Sequence, residues 1–128
     1  MHTNVTGVMM VTQAFIPLLL KANSNPRVIN ISSGLGSISS SPRFTTTSYQ
    51  CSKAALNMLT KCFAYDVQKI VFVAMHPGWV QTDMGSTKDR SPPVPIEESA
   101  QGIIKFAHEV PLSKSGCFIG FDGNSIDF

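Results

Sequence analysis

Two hydrophobic periods organise this chain. Val5, Val8, Met9, Thr12, Phe15, Ile16, Leu19 and Leu20 recur three and four residues apart, which predicts a helix with one buried stripe. Pro17 removes a backbone hydrogen bond and is expected to kink the last turn, and Asn23-Ser24-Asn25-Pro26 then ends the helix. Residues 27–31 are a short β-branched run that predicts a buried parallel strand. Residues 32–47, rich in Ser, Thr and Gly and containing Pro42, predict an ordered loop at that strand's carboxyl end. A second helix is predicted over 48–67, with Cys51, Ala55, Met58, Leu59, Cys62 and Phe63 on one face. Residues 70–75 predict a second apolar strand, closed by His76-Pro77-Gly78. The polar, proline-rich residues 82–95 are long for a plain connection and predict a mobile lid. Glu97 and Glu98 open a third helix over 97–109, where the helix dipole favours acid. A last short strand is predicted at 117–120, followed by the turn Asp122-Gly123.

Helix and strand alternate three times, which predicts an α/β fold with a parallel sheet. Right-handed crossovers place about three strands side by side with helices on both faces. With 128 residues, 43% of them hydrophobic, the chain fits one domain.

Composition narrows the partners. A net charge of +2, with Lys and Arg scattered, gives no nucleic-acid surface. Three cysteines without a CxxC pair read as reduced thiols, so a cytoplasmic setting is expected. The apolar run 8–20 resembles a signal-peptide core, yet no Lys or Arg precedes it and no small-residue cleavage site follows. It is too short to span a membrane, and Thr12, Gln13 and Pro17 interrupt it.

The candidate chemistry centres on Tyr49 and Lys53. At i and i+4 on a helix they share one face. A phenol pKa of about 10 is too high for a proton shuttle at neutral pH, and a nearby ammonium lowers it. A drop of about three units requires about 4 kcal/mol, which calls for a partly desolvated pocket. The plain alternative is two ordinary helix residues. Ser33, sixteen residues before Tyr49 and at the end of a strand, offers a hydroxyl to a substrate oxygen, or else satisfies its own turn. Gly34-x-Gly36 leads into no helix and reads as loop flexibility rather than a phosphate loop; Gly116-x-x-x-Gly120 is likewise set aside. Asn4 is a candidate site residue, with helix capping as its structural alternative. Thr82, after His76-Pro77-Gly78-Trp79-Val80-Gln81, offers a hydroxyl to an amide or phosphate, or serves a turn. A hydrolase triad of Ser33, His76 and Asp83 is the distant rival, because the Gly-x-Ser-x-Gly elbow is absent around Ser33.

Together these motifs resemble the short-chain dehydrogenase/reductase family over nearly the whole chain. Asn4-x-x-Gly7, Ile31-Ser32-Ser33, Tyr49-x-x-x-Lys53 and Pro77-Gly78-Trp79-Val80-x-Thr82-Asp83-Met84 stand in the family's order. The Ser33–Tyr49 spacing and the ending from Gly116 to Gly123 look like the C-factor and sniffer-type carbonyl reductase branch. The resemblance implies an NAD(P)-dependent oxidoreductase acting on a small carbonyl or alcohol, with NADP placed ahead of NAD. Tyr49 would be the proton donor, and Lys53 would tune it and bind the nicotinamide ribose. Ser33 would hold the substrate oxygen and Asn4 would anchor a proton-relay water. Pro77, Gly78, Val80 and Thr82 would cradle the nicotinamide. A homodimer through helices 3–22 and 48–67 is the implied assembly.

The departures from the family are specific. Its Gly-x-x-x-Gly-x-Gly loop and Asn-Asn-Ala-Gly stretch do not occur here, so residues 1–128 correspond to the C-terminal half of a doubly wound, Rossmann-like sheet. The link from Asp66 to Ile70 is about two residues short for this branch. Without backbone donors for a pyrophosphate, weak or absent cofactor binding is expected, and an exposed strand edge predicts association. The alternative function is therefore a non-catalytic chain that acts by protein association.

Overall fold

The computed structural model describes residues 1–40, 46–86 and 91–128. One π-helical turn, His2–Gly7, leads into α1, Val8–Leu19. The chain continues through β1 (Arg27–Ile31), a 3-10 turn at Gly34–Gly36, α2 (Thr47–Asp66) and β2 (Val71–His76). It ends with α3 (Ile96–Glu109), a 3-10 turn at Leu112–Lys114 and β3 (Phe118–Gly120). The predicted elements are all present, with ends shifted by a residue or two, the usual uncertainty of helix and strand termini. Parts of the loop 32–47 and of the expected lid 82–95, including Pro42, lie outside the described residues.

The sheet is parallel, in the order β1-β2-β3. Register runs from Arg27 opposite Val71 to Ile31 opposite Met75, then from Ala74 opposite Phe118 to His76 opposite Gly120. The central strand β2 is buried from Val71 to Met75, so both its faces carry apolar side chains. Its alternation divides the core. Val71 and Val73 pack with Ile119 and Val110, under Phe106 of α3. Phe72 turns to the other face, against Phe63 of α2, with Met9, Ile16 and Leu19 of α1. The Phe63 and Phe72 rings stack at 5.5 Å and 17°, worth about 0.5–1.5 kcal/mol beyond the area they bury. Helices therefore cover both faces, as expected.

Pro17 does not end α1. The helix passes through it to Leu19 and closes with Lys21 N–H on Leu18 O and Ala22 N–H on Leu19 O. The proline sits where only the final turn remains to be disturbed.

The two sheet edges differ. The C-terminal tail folds back along β3, with Ile126 N–H donating to Phe118 O and Gly120 N–H to Asn124 O. Ser37 Oγ then holds Asp127 O at 2.6 Å, and the Phe128 ring lies 5.9 Å from that of Phe118. Among the described residues β1 has no strand beyond it. A groove of about 450 Å³ opens there, lined by Val8, Val11, Phe15 and Leu19 of α1 and by Val28 and Asn30 of β1.

Candidate active site

Helix α2 carries Tyr49 and Lys53, and its docking sets where they sit. The buried residues of α2 are Ser52, Leu56, Asn57, Thr60 and Phe63. This corrects the expected face in part: Phe63 is buried and Leu59 packs against the same core, as expected. Cys51, Met58 and Cys62 are exposed, and the helix meets the sheet through a polar seam instead. Asn30 Nδ2 of β1 donates to Thr60 Oγ1 at 2.9 Å. Ser32 Oγ donates to Asn57 Oδ1 at 2.5 Å, and Asn57 Nδ2 donates to Gly36 O at 3.2 Å. Asn4 Nδ2 donates to Ser52 Oγ at 3.0 Å, while Ser52 Oγ donates to Tyr49 O. No fully buried side-chain nitrogen or oxygen among the described residues lacks a hydrogen-bond partner, so the polar seam carries little net penalty. Asn4 thus joins the first turn to α2; it does not cap a helix.

Tyr49 and Lys53 are half-buried neighbours, the Lys53 ammonium lying 5.7 Å from the Tyr49 ring centroid. Lys53 Nζ donates to Ile31 O, the last carbonyl of β1, at 2.8 Å. That contact fixes the amine at the carboxyl edge of the sheet, where ligands bind in open α/β folds. Burial lowers the Lys53 pKa from its usual value, since removing water penalises the ammonium.

Gly36 is not loop flexibility. A Cβ there would lie 2.8 Å from the carbonyl carbon of Lys53, so the turn carrying Ser33 packs on the α2 backbone directly. Ser33 Oγ accepts from Leu35 N–H at 3.2 Å and caps that turn, the structural alternative foreseen for it. The 3-10 turn brings Ser33 and the Lys53 turn of α2 to the same sheet edge.

The segment after β2 forms the other wall. Gly78 has φ +88°, and a Cβ there would lie 2.8 Å from the Phe121 ring. Its N–H donates to His76 Nδ1 at 3.3 Å, and Ser99 Oγ of α3 donates to Pro77 O at 2.6 Å. Burial lowers the His76 pKa, partly offset by the Asp122 charge. Val80 bridges Val94 in parallel. Thr82 Oγ1 accepts from Gly85 N–H, and Gln81 Nε2 donates to Pro92 O. Residues 79–85 and 91–95 are therefore clasped together, which does not fit a free lid across its described part. The rival triad is not assembled: among the described residues His76 makes no hydrogen bond to Ser33 or Asp83, and its acidic neighbour is Asp122. No group of His, Cys, Asp and Glu among the described residues is arranged to hold a metal.

The seam residues Ser32, Ser52, Asn57 and Thr60 were not singled out from sequence. Their signal was there: polar residues in and directly after β1, at Asn30 and Ser32, facing polar positions at helical spacing in α2.

A family model described as short chain dehydrogenase matches residues 1–92. The C-signal protein of Myxococcus xanthus is 34% identical over 125 residues, covering 96% of this chain and 73% of that protein. The carbonyl reductase Sniffer of D. melanogaster superposes with a TM-score of 0.89 at 31% identity, over 99% of this chain and 55% of its own. An NADPH-bound carbonyl reductase from chicken fatty liver gives a TM-score of 0.90 at 38% identity, over 98% and 54%. The chain spans about half the length of those two reductases. The three-stranded sheet is accordingly Rossmann-like, and the chain belongs to the short-chain dehydrogenase family.

Proposed function

We propose that this chain carries the carbonyl-handling side of an NAD(P)-dependent oxidoreductase, with NADP preferred to NAD and a small-molecule carbonyl as substrate. One observation carries the reading: the Tyr49–Lys53 pair is locked to the carboxyl edge of the sheet through Lys53 Nζ on Ile31 O. The fit to a cofactor is chemical. An ammonium that has lost part of its water, with one acceptor among the described residues, has donors left for a ribose hydroxyl. When bound, the nicotinamide supplies the hydride. Tyr49, beside the Lys53 ammonium, then donates the proton to the substrate oxygen, and Ser33 Oγ–H donates to that oxygen while still accepting from Leu35 N–H. Asn4, held on Ser52, anchors a water that feeds protons towards Lys53. Pro77, Gly78, Val80 and Thr82 line the nicotinamide side. The NADPH-bound and NADP-bound reductases of like fold support the cofactor preference. Three free thiols support a cytoplasmic setting.

Fluorescence titration with NADPH and NADH, on wild type, Tyr49→Phe and Lys53→Ala, tests the reading. Weak but saturable binding that falls further in Lys53→Ala is expected, with carbonyl turnover lost in Tyr49→Phe. Absence of binding up to about 1 mM, an affinity near −4 kcal/mol, would overturn it.

A second reading has its own observation. Met10, Val11, Phe15 and Leu18 on α1, and Met58 and Tyr65 on α2, are exposed large apolar residues. Such faces support a chain that acts by association, as a homodimer through α1 and α2.

A further inference from the structure

We propose that His76 is a positioning residue whose neutral imidazole, accepting Gly78 N–H and seated against Gly34, sets the Pro77–Gly78 turn and makes its shape depend on pH. The part of this proposal that concerns cofactor rests on the function proposed above.

His76 is the last residue of β2 and stands where three strand-end turns meet. From its own turn, Gly78 N–H donates to Nδ1 at 3.3 Å. From the turn after β1, Gly34 faces the ring so closely that a Cβ would lie 3.1 Å from Nε2. From the turn after β3, Phe121 N–H donates to His76 O at 2.9 Å, and the Phe121 ring underlies Gly78. Because Nδ1 accepts, the ring must be the neutral tautomer with its proton on Nε2. Adding a proton at Nδ1 replaces the lone pair with a second N–H. Gly78 N–H then has no acceptor and two donors face each other, so the turn must open.

The charges around the ring decide when that happens. Among the described residues Asp122, beyond β3, is the charged group acting on it and favours the imidazolium; the turn after β1 presents Gly34, which carries no charge. Burial opposes Asp122 and is the larger influence, so the neutral ring persists below the ordinary histidine range of about 6.5. Asp122 is itself occupied, Oδ1 and Oδ2 accepting from Asn124 N–H and Nδ2. It is not free to swing onto the imidazole without giving up its own turn.

Amide and imidazole NMR of the whole chain between pH 8 and 5 tests this without any activity. The Gly78 amide is expected to shift with the same midpoint as the His76 ring, below the free-histidine value. In His76→Asn, whose Oδ1 replaces Nδ1 as acceptor, the Gly78 amide is expected to stay protected from exchange and to lose its pH dependence. In His76→Leu it is expected to exchange faster than wild type above the His76 midpoint, by about fivefold for one lost hydrogen bond, and to show no pH-dependent change in protection. A Gly78 amide indifferent to His76 titration, or unchanged in a folded His76→Leu chain, would overturn the proposal. NADPH affinity is read in parallel, and should fall as pH drops through the His76 midpoint in wild type but not in His76→Asn. A chain that never binds NADPH would sink the functional reading and leave the amide result to judge His76.

Discussion

Ser32 and Asn57, each 2% exposed, share a hydrogen bond of 2.5 Å between the end of β1 and the middle of α2. Asn57 also donates to Gly36 O, so one carboxamide ties the helix that carries Lys53 to the turn that carries Ser33. Replacing it with Leu fills the volume but leaves the Ser32 hydroxyl only the long 3.5 Å contact to Lys53 O and removes the side-chain donor to Gly36 O. Each unsatisfied group costs about 1–3 kcal/mol, so Asn57→Leu is expected to lower unfolding stability by about 2–4 kcal/mol in urea titration. A loss below the error of the extrapolation would mean that the seam is not buried in solution.

Gly36→Ala tests the same junction from the other side. The added methyl would meet the Lys53 backbone at 2.8 Å and the Ala54 nitrogen at 3.1 Å, neither of which is the end of a flexible side chain. The turn must lift away from α2 and stretch the Asn57–Gly36 bond. A loss of about 1–3 kcal/mol is expected, with altered amide shifts at Ser33 and Lys53. Gly34→Ala should be milder, since its nearest neighbour is the His76 side chain at 3.1 Å and not backbone at 2.8 Å.

Gly102 sets two magnitudes against each other. In the middle of a helix, Gly→Ala gains about 1 kcal/mol of helix propensity. Here the new Cβ would lie 2.3 Å from Phe121 O, so α3 would have to move off the turn beneath Gly78. The clash is the larger effect because its partner is backbone. Gly102→Ala is therefore expected to destabilise by about 1–3 kcal/mol; a stabilised variant in thermal unfolding would show that α3 sits further out.

The fold was legible because periodicity is a local property. The run from Val71 to Met75 and the stripe from Met9 to Leu19 announce a buried strand and an amphipathic helix on their own. The Tyr49–Lys53 pair was legible for the same reason, both residues lying one helical turn apart. The buried face of α2 was not. Its polar members become comfortable only when Asn30, Ser32 and Asn4, distant in sequence, bring hydrogen-bond partners; hydrophobicity therefore selected Cys51 and Met58 instead. Gly36 and His76 were opaque in the same way, because close approach between separate segments leaves no trace in local composition.

The exposed apolar residues on the two helices should show in hydrodynamics. If α1 and α2 form the surface of self-association, Phe15→Lys with Leu18→Lys should shift sedimentation from dimer towards monomer, since charged groups are strongly disfavoured at an interface core. Both side chains are more than half exposed, so the fold should survive the change. A dimer unaffected by the pair would place the contact elsewhere, with the unpaired edge of β1 the next surface to test.

Lys53 makes a prediction in pH. Its folded pKa is lowered from 10.5 by burial, so between the folded value and 10.5 the unfolded chain binds more protons than the native one. Stability therefore rises with pH across that window, and is flat with respect to this group on either side. The difference between wild type and Lys53→Met is what isolates this group. Wild type should gain relative to Lys53→Met as pH increases through the window, read from denaturant midpoints at matched ionic strength. A bound dinucleotide should shrink that difference, because a hydroxyl accepting from Nζ restores what the ammonium lost with its water. A difference that is flat with pH would mean the ammonium remains hydrated, and the desolvated pocket that its partnership with Tyr49 requires would be absent.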